Sequence, residues 1–217
     1  MKAFYDVVES LELSSTAKSK LIDPSLIKGH VIYINLVNYL LPVYPNVDEK
    51  KANKLSISAY LYFRFLLFFD NYLDSPKKDD HSIRDLAVAF EFYEKAIQGL
   101  SQLFPTDSKF WKNFQSLKKD YFQATLDERN VSLAKTPITE ELFSKLAVGK
   151  STICEALIYA LNDLSDSASN SHALIECFRN LHIGLQYMDD IEDFKKDIDD
   201  NQWTYPRFLV ATYLGKD

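Results

Sequence analysis

Residues 65–74 of the chain are FLLFFDNYLD, and residues 186–197 are QYMDDIEDFKKD. In each stretch, apolar residues lead into closely spaced aspartates. Asp70 and Asp74 are four residues apart, which on a helix brings both carboxylates to one face. Two anions that emerge on one face of a buried helix repel each other unless a cation compensates them. The first stretch therefore predicts a helix whose acidic end favours a hard cation with oxygen ligands.

The second stretch repeats the pattern at greater length. Asp189, Asp193 and Asp197 have the spacing of one continuous helical stripe, and Asp190 lies on a neighbouring stripe. Helical bundles build metal sites from carboxylates on facing helices, and Mg²⁺ usually binds a few carboxylates together with substrate phosphates. The two stretches together predict a magnesium site and a phosphorylated substrate with an apolar tail. An ordinary solvated acidic surface is the alternative for each stretch taken alone.

The rest of the chain has the residue pattern of a helical protein. Gly and Pro are few, with 5 and 7 residues, and no segment alternates at the period of a strand. Asp48, Asp80 and Asp107 are predicted N-caps, and Pro206 suits a first helical turn. We predict one all-α domain over residues 1–217, with helices at 16–22, 25–41, 48–74, 80–104, 107–133, 139–161 with a break near Gly149, 172–199, and from 206 onward.

Composition and charge narrow the function classes. A net charge of −6 argues against nucleic acid as a partner, because such proteins carry a basic surface. The N-terminus has no signal-peptide pattern, and the most apolar stretch is short and contains Arg64, so we expect no transmembrane segment and a cytoplasmic protein. Cys154 and Cys177 are predicted to be core thiols in a reducing compartment. The 15 Phe and 13 Tyr residues leave open a plain core, an aromatic ligand pocket or a homodimer interface.

The two acidic stretches resemble the Asp-rich motifs of the class I isoprenoid synthase superfamily. The first resembles D-D-x-x-D, with Asn71 in place of the middle aspartate. The second resembles Q-x-x-D-D-x-x-D of trans-prenyltransferases, which is matched by Gln186, Asp189, Asp190 and Asp193. It also fits the register of the terpene cyclase motif N/D-D-x-x-S/T-x-x-x-E. In that register the three metal-binding positions fall on Asp189, Asp193 and Asp197, and the last two depart from the Ser/Thr and Glu of the motif. Residues 202–206, QWTYP, resemble the aromatic-Pro segment of squalene and phytoene synthase relatives.

This resemblance implies a helical bundle with a central cavity and Mg²⁺-dependent ionisation of an allylic prenyl diphosphate, which releases diphosphate. The implied metal ligands are Asp70, Asp74, Asp189, Asp193 and Asp197. In prenyltransferases a Lys-Thr at a helix kink contacts the diphosphate, which implies that role for Lys150 in the GKST sequence at 149–152. The implied substrate contacts also include Lys77, Lys78, Gln186, Phe69 and Tyr187. The catalytic residues are expected to be Asp70, Asp74, Asp189, Asp193 and Lys150.

Two departures from the family shape these expectations. The Gly-Gly-Lys-x-x-Arg-Pro segment for a homoallylic diphosphate is poorly matched by residues 27–31, IKGHV, so chain elongation is not expected. Family domains also continue further after the second motif, so we expect a C-terminally shortened domain. Three functions remain open: a terpene synthase-like cyclisation or elimination, a prenyltransferase or head-to-head condensation, and a non-catalytic module that binds a prenyl lipid or a partner.

Overall fold

The computed structural model of the protein describes residues 2–23, 28–74, 79–165 and 171–215. These residues form helices and no strand, which confirms the all-α prediction. Within the same ranges, no helix has both the length and the apolar character needed to cross a bilayer. The chain divides into two compact units, one of Met1–Ser108 with Leu164–Ser167 and one of Lys109–Asp163 with Ala168–Asp217. A single domain over residues 1–217 stays a prediction.

The first unit is organised around one long helix. Its described helices are α1 (Lys2–Ser10), α2 (Ser15–Leu21), α3 (Val31–Leu40), α4 (Glu49–Asp74) and α5 (Asp80–Ser101). Helix α4 packs along α5 and also contacts α3. Gly99 of α5 makes this pairing close, because a Cβ there would collide with the hydroxyl of Ser58 on α4. Large side chains such as Phe92 are fully buried in this unit.

Local capping explains where the helices of the first unit begin. The Asp48 side chain accepts hydrogen bonds from the backbone N–H groups of Lys50 and Lys51 at 3.0 and 3.1 Å, which confirms its predicted role. For α5 the predicted cap, Asp80, is wrong by one residue. Asp79 has the extended cap conformation, and its Oδ1 accepts from the N–H of Ser82 at 2.9 Å.

The predicted helix at 25–41 is interrupted. Residues 24–27 lie outside the described residues, and residues 28–29 are helical. His30 forms a turn, after which α3 begins at Val31. This helix therefore ends near its predicted C-terminus but starts later than the sequence pattern indicated.

The second unit contains the other acidic stretch. Its described helices are α6 (Lys109–Ala134), α7 (Glu140–Ser151), α8 (Glu155–Ser165), α9 (Ser171–Glu192), α10 (Phe194–Asp199) and α11 (Tyr205–Leu214). Helix α7 packs against both α6 and α9. Thr139 Oγ1 caps α7 by accepting from the N–H of Leu142 at 3.1 Å. The predicted break near Gly149 is confirmed, because α7 ends at Ser151 and a 3₁₀ turn, Thr152–Cys154, leads into α8.

Three sequence expectations for the second unit are wrong in detail. The helix predicted at 172–199 is two helices, because the backbone bends at Asp193 between α9 and α10. Helix α6 begins at Lys109, so Ser108 and not Asp107 precedes it. Cys177 is exposed and Cys154 is partly exposed, so the expectation of two core thiols fails for Cys177. Pro206 lies in the first turn of α11, as predicted.

Candidate functional site

A glycine fixes the approach of the two helices that begin the site. A Cβ on Gly149 of α7 would lie 2.5 Å from the Cβ of Ala124 on α6, so only glycine fits this approach without displacement. Glu128 is one turn beyond Ala124 on the same face of α6. The close approach brings Nζ of Lys150 to 2.7 Å from Oε2 of Glu128. The predicted diphosphate-contacting lysine is therefore paired with a glutamate of α6.

Asp190 on α9 is the buried acid of the second acidic stretch. It is 9% exposed, and the side-chain amide of Gln186 donates to its Oδ1 at 2.6 Å. Burial raises the pKa of Asp190 to about 6, and the negative charge of Glu128 adds to that rise. The Gln186 hydrogen bond and the positive charge of Lys150 oppose it. This carboxyl group would therefore exchange a proton near neutral pH.

Asp197 on α10 is the second buried acid, and the bend at Asp193 precedes it. Burial raises the pKa of Asp197, and repulsion from Asp193 raises it further. After α10 the chain reverses through Asn201, which has a positive φ of 55°. The N–H of Gln202 donates to the carbonyl of Asp197 at 2.7 Å, which closes the helix with the hydrogen bond of a Schellman motif. Asp190 and Asp197 are therefore two buried acids that act on each other, because the negative charge of Asp197 also raises the pKa of Asp190.

The segment after α10 is fastened to α6. The N–H of Trp203 donates to Oγ of Ser132 at 2.9 Å, and its indole N–H donates to the carbonyl of Thr136 at 3.0 Å. The buried guanidinium of Arg207 lies 5.6 Å from the Trp203 ring and donates to the carbonyl of Gln202 at 2.9 Å. Ala124, Glu128 and Ser132 follow one another at one-turn intervals on one face of α6. This face contacts Gly149 and Lys150 through its first two residues and Trp203 through the third.

Aromatic side chains form an apolar wall in the second unit. The ring of Tyr187 on α9 is 4.2 Å from that of Phe143 and 5.8 Å from that of Tyr205. The rings of Phe143 and Tyr205 stack at 5.0 Å. Burial raises the pKa of Tyr187, and its neighbour Tyr205 contributes to the same direction. Tyr187, a predicted substrate contact, is thus part of a packed three-ring cluster.

The other predicted residues of the second stretch lie nearer to solvent. Asp189 is exposed, and Asp193 is half-buried with its carboxylate 3.2 Å from the ammonium of Lys196. Asp190, which the sequence pattern placed beside the main stripe, is buried, as is Asp197. The continuous stripe itself is broken by the bend at Asp193. Glu128 was missed altogether. The signal that could have found it is its position between two small residues, Ala124 and Ser132, one turn away on either side.

The first acidic stretch lies in the first unit, at the end of α4. Asp70 is half-buried, Asn71 is exposed, and the ring of Phe69 lies 5.8 Å from that of Phe65. Only the backbone of Asp74 is described, and Lys77 and Lys78 lie outside the described residues. The end of α4 and the start of α5 border a cleft of about 200 Å³, lined by Phe68, Asn71, Tyr72, Asp79, His81, Ser82 and Asp85. Asn71, which takes the place of the middle aspartate of the D-D-x-x-D motif, thus lines this cleft.

Across the described part of the chain, no group of three or more His, Cys, Asp or Glu side chains is arranged to hold a metal ion. No protein-family model matches the chain, and no curated protein is significantly similar to it in sequence.

Proposed function

We propose that the chain is a Mg²⁺-dependent, class I isoprenoid synthase-like enzyme that ionises an allylic prenyl diphosphate and releases diphosphate. The single observation that carries the proposal is the juxtaposition of Lys150 with the buried end of the second acidic stretch. The motif resemblance required a lysine at a helix break, and Lys150 precedes the 3₁₀ turn at 152–154 and acts electrostatically on Asp190. The two sequence features, 40 residues apart (190 − 150), lie on α7 and α9, which pack against each other.

The residues present suit Mg²⁺ in their chemistry. Asp190 and Asp197 are buried carboxylates whose pKa values are raised by burial, and each is also repelled by neighbouring acids. Such an arrangement is relieved by a bound cation. Mg²⁺ binds through one or two carboxylates and completes its shell with water and substrate phosphates, so a cluster of three protein ligands is not required. Asp190 and Asp197 would hold the ion in this unit, with Asp189 and Asp193 nearby in sequence, and Asp70 and Asp74 belong to the first acidic stretch.

Each side chain of the site has a definable task. Bound Mg²⁺ supplies charge neutralisation for the departing diphosphate. Lys150 donates hydrogen bonds to a phosphate oxygen as a point charge, for which it exchanges its contact with Glu128. Gln186 holds the Asp190 carboxylate in one orientation through its 2.6 Å hydrogen bond. The rings of Tyr187, Phe143 and Tyr205 offer apolar faces that stabilise a carbocation and exclude water.

A second candidate, prenyl transfer, is favoured by one contact. In the Q-x-x-D-D motif of trans-prenyltransferases the glutamine precedes the aspartate pair, and here Gln186 bonds directly to Asp190. The two activities differ in product. An enzyme that cyclises or eliminates gives a product with one prenyl unit, whereas a transferase joins two. Product analysis by mass spectrometry separates them.

The decisive experiment measures Mg²⁺-dependent release of diphosphate from a panel of prenyl diphosphates of different chain length. We expect release by the full chain and a loss of about 10²-fold or more in Asp190→Asn and Lys150→Met, because each removes a group that stabilises transition-state charge. Lys145→Met, on the exposed side of α7, and Asp120→Asn, on the exposed side of α6, are the matched controls and should retain the rate.

Two outcomes would overturn the proposal. The first is equal release by wild type and both site variants, which would separate the activity from these residues. The second is prenyl diphosphate binding that is indifferent to Mg²⁺ and gives no turnover. That second result would favour a non-catalytic module that binds a prenyl lipid.

A further inference from the structure

Arg64 on α4 is a buried cation that the described chain does not neutralise. The residue is 2% exposed. Its only hydrogen bond among the described residues is a long one, 3.4 Å from an Nη of the guanidinium to the hydroxyl of Tyr60, and its Nε has no hydrogen-bond partner. No carboxylate in the described ranges forms an ion pair with it. Buried charges are normally paired and hydrogen-bonded, whereas this guanidinium lacks both a counter-charge and part of its hydrogen bonds among the described residues.

The aromatic contact of Arg64 compensates the charge only in part. Its guanidinium carbon lies 5.3 Å from the ring centroid of Phe68, within the range of a cation–π contact. The ammonium of Lys20 also lies 5.0 Å from that ring, and it is itself paired with Asp85. Two cations therefore contact one ring, and the only described carboxylate paired with either belongs to Lys20. The neighbourhood of Arg64 keeps an excess of positive charge.

Tyr60 and His30 extend this arrangement toward the surface. The Tyr60 hydroxyl accepts from Arg64 and lies 3.4 Å from Nδ1 of the half-buried His30. Burial lowers the pKa of His30, and the charge of Arg64 lowers it further. A neutral His30 whose Nδ1 accepts from Tyr60 carries its hydrogen on Nε2. The three side chains thus present a cation and two polar groups, with His30 as the most exposed of them.

We propose that Arg64, Tyr60 and His30 form a binding site for a small oxyanion, a phosphate or carboxylate group, in the first unit. The edge of a guanidinium formed by Nε and one Nη offers two parallel donors that match two oxygens of such a group. Nε is the donor that lacks a partner. This site is independent of the proposed magnesium chemistry, since none of its residues belongs to either acidic stretch.

The test measures the thermal midpoint of the full chain in inorganic phosphate, in acetate and in chloride at equal ionic strength, without Mg²⁺ or prenyl diphosphate. A ligand that binds only the folded state raises the midpoint by mass action. We expect phosphate or acetate to raise it above its value in chloride, and the more effective anion identifies the ligand group. Arg64→Met should weaken binding of that anion at least about tenfold. The control Arg84→Met removes an exposed arginine of α5 and should leave binding unchanged.

A second measurement needs no substitution at Arg64. The pKa of His30, followed by NMR in wild-type protein, should rise when the anion binds, because a nearby negative charge stabilises the imidazolium. Tyr60→Phe should keep the fold and reduce the anion's effect. An unchanged His30 pKa at saturating phosphate and acetate, or an equal anion response in Arg64→Met and wild type, would overturn the proposal. Because the assay contains no Mg²⁺ or prenyl diphosphate, its result is separate from that of the diphosphate-release assay.

Discussion

Glu155 and Asp190 are both buried carboxylates of the second unit, but their surroundings differ. Glu155 is 3% exposed and accepts two hydrogen bonds from the guanidinium of Arg179, at 2.8 and 3.3 Å. Asp190 has an uncharged partner, Gln186, and two acidic neighbours, Glu128 and Asp197, that raise its pKa. The charge of Glu155 is therefore neutralised within the protein, whereas the surroundings of Asp190 disfavour its charged form.

This difference separates an acid whose charge is compensated within the protein from one whose charge is not. A bidentate arginine satisfies both the charge and the acceptor oxygens of a carboxylate, which then gains little from binding a cation. A carboxylate that is buried among like charges gains from any cation that reaches it, and such perturbed groups cluster at functional sites. The comparison therefore predicts opposite responses to removing charge. Disrupting the Glu155 pair should destabilise the protein, whereas neutralising Asp190 should stabilise it.

The largest effect is expected for Arg179→Met. This change leaves Glu155 buried without its partner, so we expect the free energy of unfolding to fall by about 3 kcal/mol. Urea denaturation followed by circular dichroism measures it. The double variant Glu155→Gln/Arg179→Met removes both charges and should recover most of the loss. If the single and double variants are equally unstable, the pair contributes packing and not charge compensation.

Gly149→Ala should have the next largest effect. The new Cβ would lie 2.5 Å from that of Ala124, so α6 and α7 must separate, and overpacking of this kind costs about 1 to 3 kcal/mol. Gly184→Ala in α9 is the matched control. Its Cβ would meet nothing within 4 Å, so the gain in helix propensity should stabilise the protein by about 0.5 to 1 kcal/mol.

A compensating change distinguishes steric conflict from a backbone effect at Gly149. Ala124→Gly combined with Gly149→Ala moves the methyl group from one helix to the other and should restore part of the lost stability. Failure of this rescue, measured by the same denaturation experiment, would mean that the contact is not what Gly149 serves.

Asp190→Asn should stabilise the protein at pH 8 by about 1 kcal/mol, because the raised pKa of the aspartate means that its charged form is disfavoured in the folded state. The sign follows from proton binding. The folded-state pKa of Asp190 is raised to about 6, so the folded state binds the proton more tightly and wild-type stability falls as pH rises from about 4 to about 6. The advantage of the variant should therefore vanish near pH 4. A thermal-melting series across pH checks this, and a variant that is less stable at pH 8 would contradict it.

Lys196→Met should have the smallest effect. Its ammonium lies 3.2 Å from the carboxylate of Asp193, but the Lys196 side chain is exposed and that of Asp193 is about half exposed. Such pairs contribute about 0 to 1 kcal/mol, so we expect a change below about 0.5 kcal/mol that shrinks further in salt. A loss comparable to that of Arg179→Met would erase the distinction between buried and exposed pairs.

Local signals in the sequence predicted two helix starts correctly. Asp48 starts a helix because an oxygen of its own side chain reaches the N–H groups two and three residues ahead. Pro206 marks a first turn because its missing N–H is not needed there. Each of these signals acts within one turn, so no knowledge of tertiary structure was required.

The site was harder to predict because it depends on contacts between helices. Periodicity put Asp189, Asp193 and Asp197 on one stripe, but the helix bends at Asp193, where the sequence has no Gly or Pro, and the buried acids are Asp190 and Asp197. Glu128 is 62 residues from Asp190 (190 − 128), and no local pattern connects them. In the sequence, Arg64 is a single charged residue within the most apolar stretch. Only its burial without a paired carboxylate, which the sequence does not show, makes it a candidate for binding an oxyanion.

The turn at Asn201 has a consequence for how this chain tolerates sequence change. Its left-handed conformation is accessible to glycine and, among other residues, mainly to asparagine and aspartate. In a saturation library, position 201 should therefore accept a very short list of amino acids, although the residue is exposed. A β-branched residue there would open the turn that leads from Asp197 to Trp203. Variation at this surface position would be as restricted as variation in the core.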